Sequence, residues 1–154
     1  MTRALVGGVS TAIVVAYAIG AGRWVSTDAD WYRSLIKPPW QPPDVVFGLI
    51  WPYNCVMLAV AGWAVAGQES RTEHVVWLAS LALSVVAALT WAYLFYVPHS
   101  LFASGFALTA ATLLTLPLVV LTFQASTPLG LALVPYQLWL AVATSLTFGY
   151  ASRN

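Results

Sequence analysis

The sequence predicts an all-α integral membrane protein, a bundle of five transmembrane helices with a long first loop acting as a lid. Three observations carry this reading. Of the 154 residues, 60% are hydrophobic and only 7% are charged, with a mean hydropathy of +0.81. A soluble domain of this size needs a larger polar surface around its core. The apolar residues gather into five blocks, each about as long as a bilayer is thick. The charged residues, from Arg3 to Arg153, all fall outside those blocks.

The first block covers about residues 4–22. Arg3 before it and small residues at its end resemble a cleaved secretion signal, but it exceeds a usual signal core and four more blocks follow. The others run over about 45–66, 75–97, 101–123 and 129–151, so that residues 1–154 form a single membrane domain. Pro52, Pro117 and Pro135 are candidate kinks within them. The intervening loops are short except for the first, residues 23–44, which contains DADWYRSLIKPPWQPPD. A short helix fits residues 28–36, capped by Asp28 and ended by Pro38. A long aromatic loop stiffened by four prolines, in so economical a chain, points to function.

Charge narrows the possible functions. No ionisable acid or base lies at membrane depth, which argues against a carboxylate relay of the kind proton pumps use. A net charge of +1 leaves no footprint for nucleic acid. Cys55 is the only cysteine, and His74 and His99 sit at opposite ends of one block, so neither a disulfide nor a Cys/His metal spacing is available. Five spans put the termini on opposite faces. The face with the first loop and the C-terminus carries Arg23, Arg33, Lys37 and Arg153, against Arg3 and Arg71 on the other. In a cell membrane this bias places the first loop in the cytoplasm; an outer or organelle membrane stays open.

The tryptophans suggest a site. Trp51 and Trp91 each lie six residues inside a block end on the first-loop face, roughly 9 Å deep, and Trp139 lies about 18 Å deep at the same rise per residue. Tyr32 and Trp40 lie in the loop above. Helical spacing aligns Ser80, Ser84, Ala88 and Trp91 in the third block. It aligns Trp51, Asn54 or Cys55, Leu58 and Gly62 in the second, and Trp139, Ala143, Thr147 and Tyr150 in the fifth. The pattern describes an aromatic chamber roofed by the first loop, with small residues leaving room for a flat guest. Trp24, Trp31, Trp63 and Trp77 lie near block ends and read as an interfacial belt. The Ser80–Ser84–Ala88 stripe suits helix packing or dimerisation as well as pocket lining. Arg33 and Lys37 either pair with ligand carboxylates or snorkel to headgroups. Leu146, Tyr150 and Arg153 fit a loose sterol-contact pattern that many membrane proteins contain.

Two motifs resemble those of a known family. WYRSLIKPPWQPP meets W-Y-x-x-L-x-K-P-x-W-x-P-P at Trp31, Tyr32, Leu35, Lys37, Pro38, Trp40, Pro42 and Pro43. VPYQLWLAVATSL is similar to P-Y-x-x-W-x-x-x-A-T-x-L through Pro135, Tyr136, Trp139, Ala143, Thr144 and Leu146. Both resemble the TspO/MBR family, the translocator proteins or tryptophan-rich sensory proteins, and the likeness runs from about residue 24 to the C-terminus. Trp51 and Trp91 also fall at family tryptophan positions. Cys55, Ala88 and Thr147 stand where the family commonly has other pocket-facing residues, so ligand preference is expected to differ.

The resemblance implies a membrane receptor, sensor or carrier for flat hydrophobic ligands. These are tetrapyrroles such as protoporphyrin IX or haem, and sterols or benzodiazepine-type drugs in some members. No cofactor is required, the bilayer is the solvent, and a homodimer is the implied assembly. Trp51, Trp91 and Trp139 would form walls, Ala143 would keep space beside Trp139, and Tyr32, Trp40, Pro42 and Pro43 would form the lid. The alternatives are a light-dependent porphyrin-degrading enzyme and a passive transporter of the same ligands. For the first, the spans hold no triplet of nucleophile, base and orienting group.

Overall fold

A computed structural model describes residues 1–25 and 27–154. The described residues form seven helices and no strand: α1 (Arg3–Val25), α2 (Ala29–Ser34), α3 (Asp44–Val65), α4 (Arg71–Tyr96), α5 (Leu101–Leu114), α6 (Leu116–Ala125) and α7 (Thr127–Ala151). Taking α5 and α6 as one interrupted helix, five are long and apolar enough to cross a membrane. The spans close a ring in which α1 packs on α3 and α4, α4 on α5, α5 on α7, and α7 back on α3.

Local chemistry sets the boundaries. Asp28 accepts a hydrogen bond from the Trp31 amide at 3.0 Å and starts α2, which ends at Leu35 before the Pro38–Pro39 pair. Ser70 accepts from the Glu73 amide at 3.3 Å, a cap that starts α4 four residues before the apolar block begins. Charged Arg3, Arg23, Asp44, Arg71 and Glu73 therefore lie in terminal helical turns rather than outside the helices. The fourth span, in which Pro117 is a candidate kink, breaks at Thr115. Pro117, in the first turn of α6, has no N–H to continue the ladder. The loose ends find partners on α7: Gln137 Nε2 donates to the Thr112 carbonyl at 2.9 Å, and the Thr115 hydroxyl donates to Gln137 Oε1 at 2.7 Å. Pro52 and Pro135 sit inside α3 and α7 without ending them.

One half of the bundle, toward the N-terminal face, is packed solid. Trp77, Leu58, Leu81, Leu118 and Leu133 have no exposed surface. Glycines bring α1 and α3 together there. A Cβ on Gly62 would meet Ser10 Cβ at 2.6 Å, and one on Gly7 would meet the Trp63 ring at 2.4 Å. Trp77 is thus no belt residue: its indole donates to Ser10 Oγ at 2.9 Å from within the bundle. Ser80, Ser84 and Ala88 are likewise buried within the chain, so their stripe is occupied by intramolecular packing.

Candidate functional site

The other half of the bundle, beneath the first loop, encloses a cavity of about 460 Å³, within the range of small-molecule sites. Its depth follows from helix geometry. On α1 and α3 the cavity reaches down to Tyr17, eight residues before the end of α1, and Trp51, seven residues into α3, roughly 10–12 Å below those helix ends; on α7 it reaches Tyr136, roughly 22 Å below the end of that longer helix.

Aromatic contacts build the walls. Tyr17 and Trp51 meet edge-on with centroids 5.0 Å apart, closing the floor together with Tyr136. Phe47 of α3 packs edge-on against Trp139 of α7 at 5.0 Å. Trp91 of α4 is fixed across the cavity because its indole donates to Thr147 Oγ1 at 3.1 Å, while that hydroxyl donates to the Ala143 carbonyl at 2.9 Å. Ala143, one turn below Thr147, leaves the space beside these rings open.

The roof joins the loop to α7. The Tyr150 hydroxyl lies 3.2 Å from the Tyr32 hydroxyl and also hydrogen-bonds Gln41 Oε1. Phe95 and Tyr96 pack around Tyr32 and Tyr150. Asn154 grips the loop backbone: its Oδ1 accepts from the Ile36 amide at 2.9 Å and its Nδ2 donates to the Ile36 carbonyl at 3.3 Å. On the opposite flank His99 stacks on Trp31 with centroids 3.8 Å apart, and its Nε2 lies 3.8 Å from Asp28.

Asp44 is the one charged side chain among the described lining residues, and it is mostly exposed, with Lys37 Nζ 3.9 Å away. Arg33 faces Asp30 at 3.6 Å on the surface. The remaining polarity of the lining comes from phenol, indole and threonine groups near the rim and floor. The described residues hold no group of His, Cys, Asp and Glu able to bind a metal ion.

Of the residues singled out from sequence, Tyr32, Trp51, Trp91, Trp139, Ala143 and Thr147 border the cavity together. Trp40, Pro42, Pro43, Cys55 and Ala88 do not. Trp40 lies outside the roof, against Gly149 and beneath the Arg153 guanidinium at 4.9 Å, because Gly149 lets Pro38 and Trp40 settle onto α7. Pro43 caps α3 and points the chain downward, and Pro42 precedes it, so both shape the return rather than the lining. Cys55 is one turn below Trp51 and packs against the buried core, as does Ala88. Asn54, Leu58 and Gly62 are buried between helices below the floor. Leu146 and Tyr150 face inward, so the sterol-contact pattern has no lipid-facing surface at these two residues.

Sequence reasoning missed Tyr17, Phe47, Phe95, Tyr96 and Tyr136 as lining residues. A signal was present for three of them: Phe47, Phe95 and Tyr136 lie three or four residues from Trp51, Trp91 and Trp139, on the same helical faces.

Comparison with known proteins agrees with this architecture. The chain is 29% identical over 136 residues to protein CrtK of Rhodobacter capsulatus, covering 88% of this chain and 85% of that protein. It is 30% identical over 145 residues to the tryptophan-rich protein TspO of Chlorobaculum tepidum, covering 92% and 91% of the two chains. It is 33% identical over 129 residues to the translocator protein of Bos taurus, covering 77% and 71%. The sequence model of the TspO/MBR family matches residues 10–153, and this five-span membrane protein belongs to that family.

Proposed function

We propose that this protein is a membrane receptor that binds a flat hydrophobic molecule, a tetrapyrrole such as protoporphyrin IX or haem first among them, in the aromatic cavity beneath its first loop. Sterols or benzodiazepine-type drugs of similar shape are secondary candidates. The observation that carries this reading is the enclosure of one apolar cavity by Trp51, Trp91 and Trp139, with Ala143 leaving room between the rings. A planar ligand would gain about 0.5–1.5 kcal/mol per well-placed ring contact beyond its buried area. Relatives named tryptophan-rich protein TspO and translocator protein lend the same direction. The arginine and lysine bias orients the loop toward the cytoplasm of a cell membrane.

A receptor is favoured over a through-transporter by the solid packing below Tyr17 and Trp51, where Leu58, Leu81, Leu118 and Trp77 leave no exposed surface. A homodimer, implied by the resemblance, would have to use a face other than the buried Ser80–Ser84–Ala88 stripe.

The test is a protoporphyrin IX titration of the purified protein, followed by quenching of tryptophan fluorescence. Saturable quenching is expected, with Trp51→Ala and Trp139→Ala each binding on the order of tenfold more weakly, from about 1.4 kcal/mol of lost ring contact and area. Linear quenching, or equal affinity in both variants, would sink the proposal. In proteoliposomes the ligand should bind without crossing to the opposite face.

A further inference from the structure

Two phenols meet across the interior of the ring at the base of the cavity. In that ring α3 stands between α1 and α7 on one side, and α4 and α5 stand between them on the other. Tyr17 of α1 and Tyr136 of α7 nevertheless reach one another: both line the cavity, and their side chains hydrogen-bond each other. Trp51 braces the pair from α3, edge-on to Tyr17. With 4% and 3% of their surface exposed, the two tyrosines have neither bulk water nor lipid headgroups to complete their hydrogen bonding.

The pair is left with a donor to spare. Each hydroxyl carries one proton, and the bond between them uses one of the two, whichever way it runs. Neither hydroxyl makes another hydrogen bond among the described residues. The Cys55 thiol lies near both, but sulfur is a weak acceptor and bonds neither. The upper cavity is different, because the Trp91 indole is taken by Thr147, and the Tyr150 hydroxyl meets Tyr32 and Gln41.

Resting on the receptor reading above, we infer that the Tyr17–Tyr136 pair is a recognition point for the buried end of the guest, selecting flat apolar molecules that carry a neutral hydrogen-bond acceptor there, a ring carbonyl. A carbonyl oxygen accepts the spare proton without bringing charge into the bundle. A carboxylate at this depth would find no cation, since the one charged side chain among the described lining residues is Asp44, itself acidic and at the rim. A hydrocarbon edge would leave the donor unmet. A guest with both kinds of group therefore lies carbonyl down, with its charge at the rim, where Lys37 stands 3.9 Å from Asp44. A few fixed polar groups in an apolar pocket set orientation in this way.

The experiment is calorimetric titration of the full chain in one detergent with fluorenone and with fluorene, which differ only by a carbonyl in place of a methylene. The parent is compared with Tyr17→Phe/Tyr136→Phe and with each single variant. Taking the ratio of the two affinities cancels partitioning into detergent, which is common to all four proteins. In the double variant the preference for the ketone should fall by about fivefold, with the Kd of fluorene within about twofold of the parent's. The infrared carbonyl stretch of bound fluorenone should lie below its position in hydrocarbon solvent in the parent, and return toward it in the double variant. That shift reports the bond itself, which a purely structural role for the tyrosines would not move. Each single variant keeps one hydroxyl, no longer polarised by a neighbour, and should give a smaller shift than the parent; the two serve if the double variant folds poorly. An unshifted stretch in the parent, or a preference and a stretch unchanged by removal of the hydroxyls, overturns the recognition point, and fluorene binding then leaves the receptor reading standing. If neither compound binds the parent, the receptor reading falls and this inference with it.

Discussion

At the scale of single residues, the tryptophans divide by what their N–H groups find. Trp77 is fully buried and donates to Ser10 Oγ, which in turn donates to the Val6 carbonyl at 2.7 Å. Trp91 donates to Thr147, and Trp63 to Thr11 Oγ1 at 3.2 Å. An indole N–H in a lipid-solvated bundle needs such a partner, since no water competes for it. Trp77→Phe should therefore destabilise the protein by about 1–2 kcal/mol, from one interhelical bond and a small void. Protoporphyrin affinity should stay the same, because Trp77 lies outside the cavity lining; thermal unfolding and titration of one sample check both halves. Trp77 also shows where sequence falls short at this scale. It sits near an apparent block end, and only the Ser70 cap, which begins α4 earlier, places it inside a packed interface. Trp51, Trp91 and Trp139 were legible because an aromatic at that depth has few uses other than packing or lining. Trp40 was not, because a loop residue carries no periodicity to say which side of the chain it faces.

The helices themselves follow from apolar length, so five spans and their order could be read directly, while their junctions depend on contacts remote in sequence. The break at Thr115 is an example: Pro117 marks it, yet whether a proline kinks or interrupts a span is decided by partners such as Gln137, 22 residues beyond Thr115. Glycine positions show the same dependence. Gly8 and Gly62 look alike in sequence, but a Cβ on Gly8 meets nothing within 4 Å whereas one on Gly62 collides with Ser10 on α1. Gly62→Ala should cost about 1–3 kcal/mol by forcing α1 off α3. Gly8→Ala should be neutral or stabilising by up to about 1 kcal/mol through helix propensity alone. Unfolding of the two variants in the same detergent separates these outcomes; equal stability would mean that α1 and α3 are not in close contact there. The α4–α5 turn is set by His99, which takes a left-handed φ of 56° and stacks on Trp31 of α2. His99→Gly keeps that backbone accessible and removes the ring. Hydrogen exchange of the α2 amides should accelerate in this variant while the spans remain protected, showing that the stack anchors the loop.

Across the whole molecule, stability and binding occupy opposite halves of one ring of helices. The half toward the N-terminus is filled by Trp77, Leu58, Leu81, Leu118 and Leu133 with no exposed surface, and the half beneath the loop is hollow. Side chains lining a void forgo dispersion contacts that a guest can supply. An apolar ligand should therefore act as a missing piece of the core, and linkage sets the size of its effect. At a free concentration one hundred times Kd, binding to the folded state alone adds about 2.7 kcal/mol, several degrees in the unfolding midpoint of a chain this size. Filling the same space from within should mimic the ligand. Ala143→Leu places three more carbon atoms between Trp139 and Thr147, in space that a well-packed core would already occupy. That variant should unfold at or slightly above the parent's temperature when empty, and should lose most of the upward shift given by protoporphyrin IX. A thermal melt of both proteins, with and without ligand, decides the matter. If Ala143→Leu keeps the full ligand-induced shift, the guest is stabilising some other surface, and the hollow half is not where binding energy enters the fold.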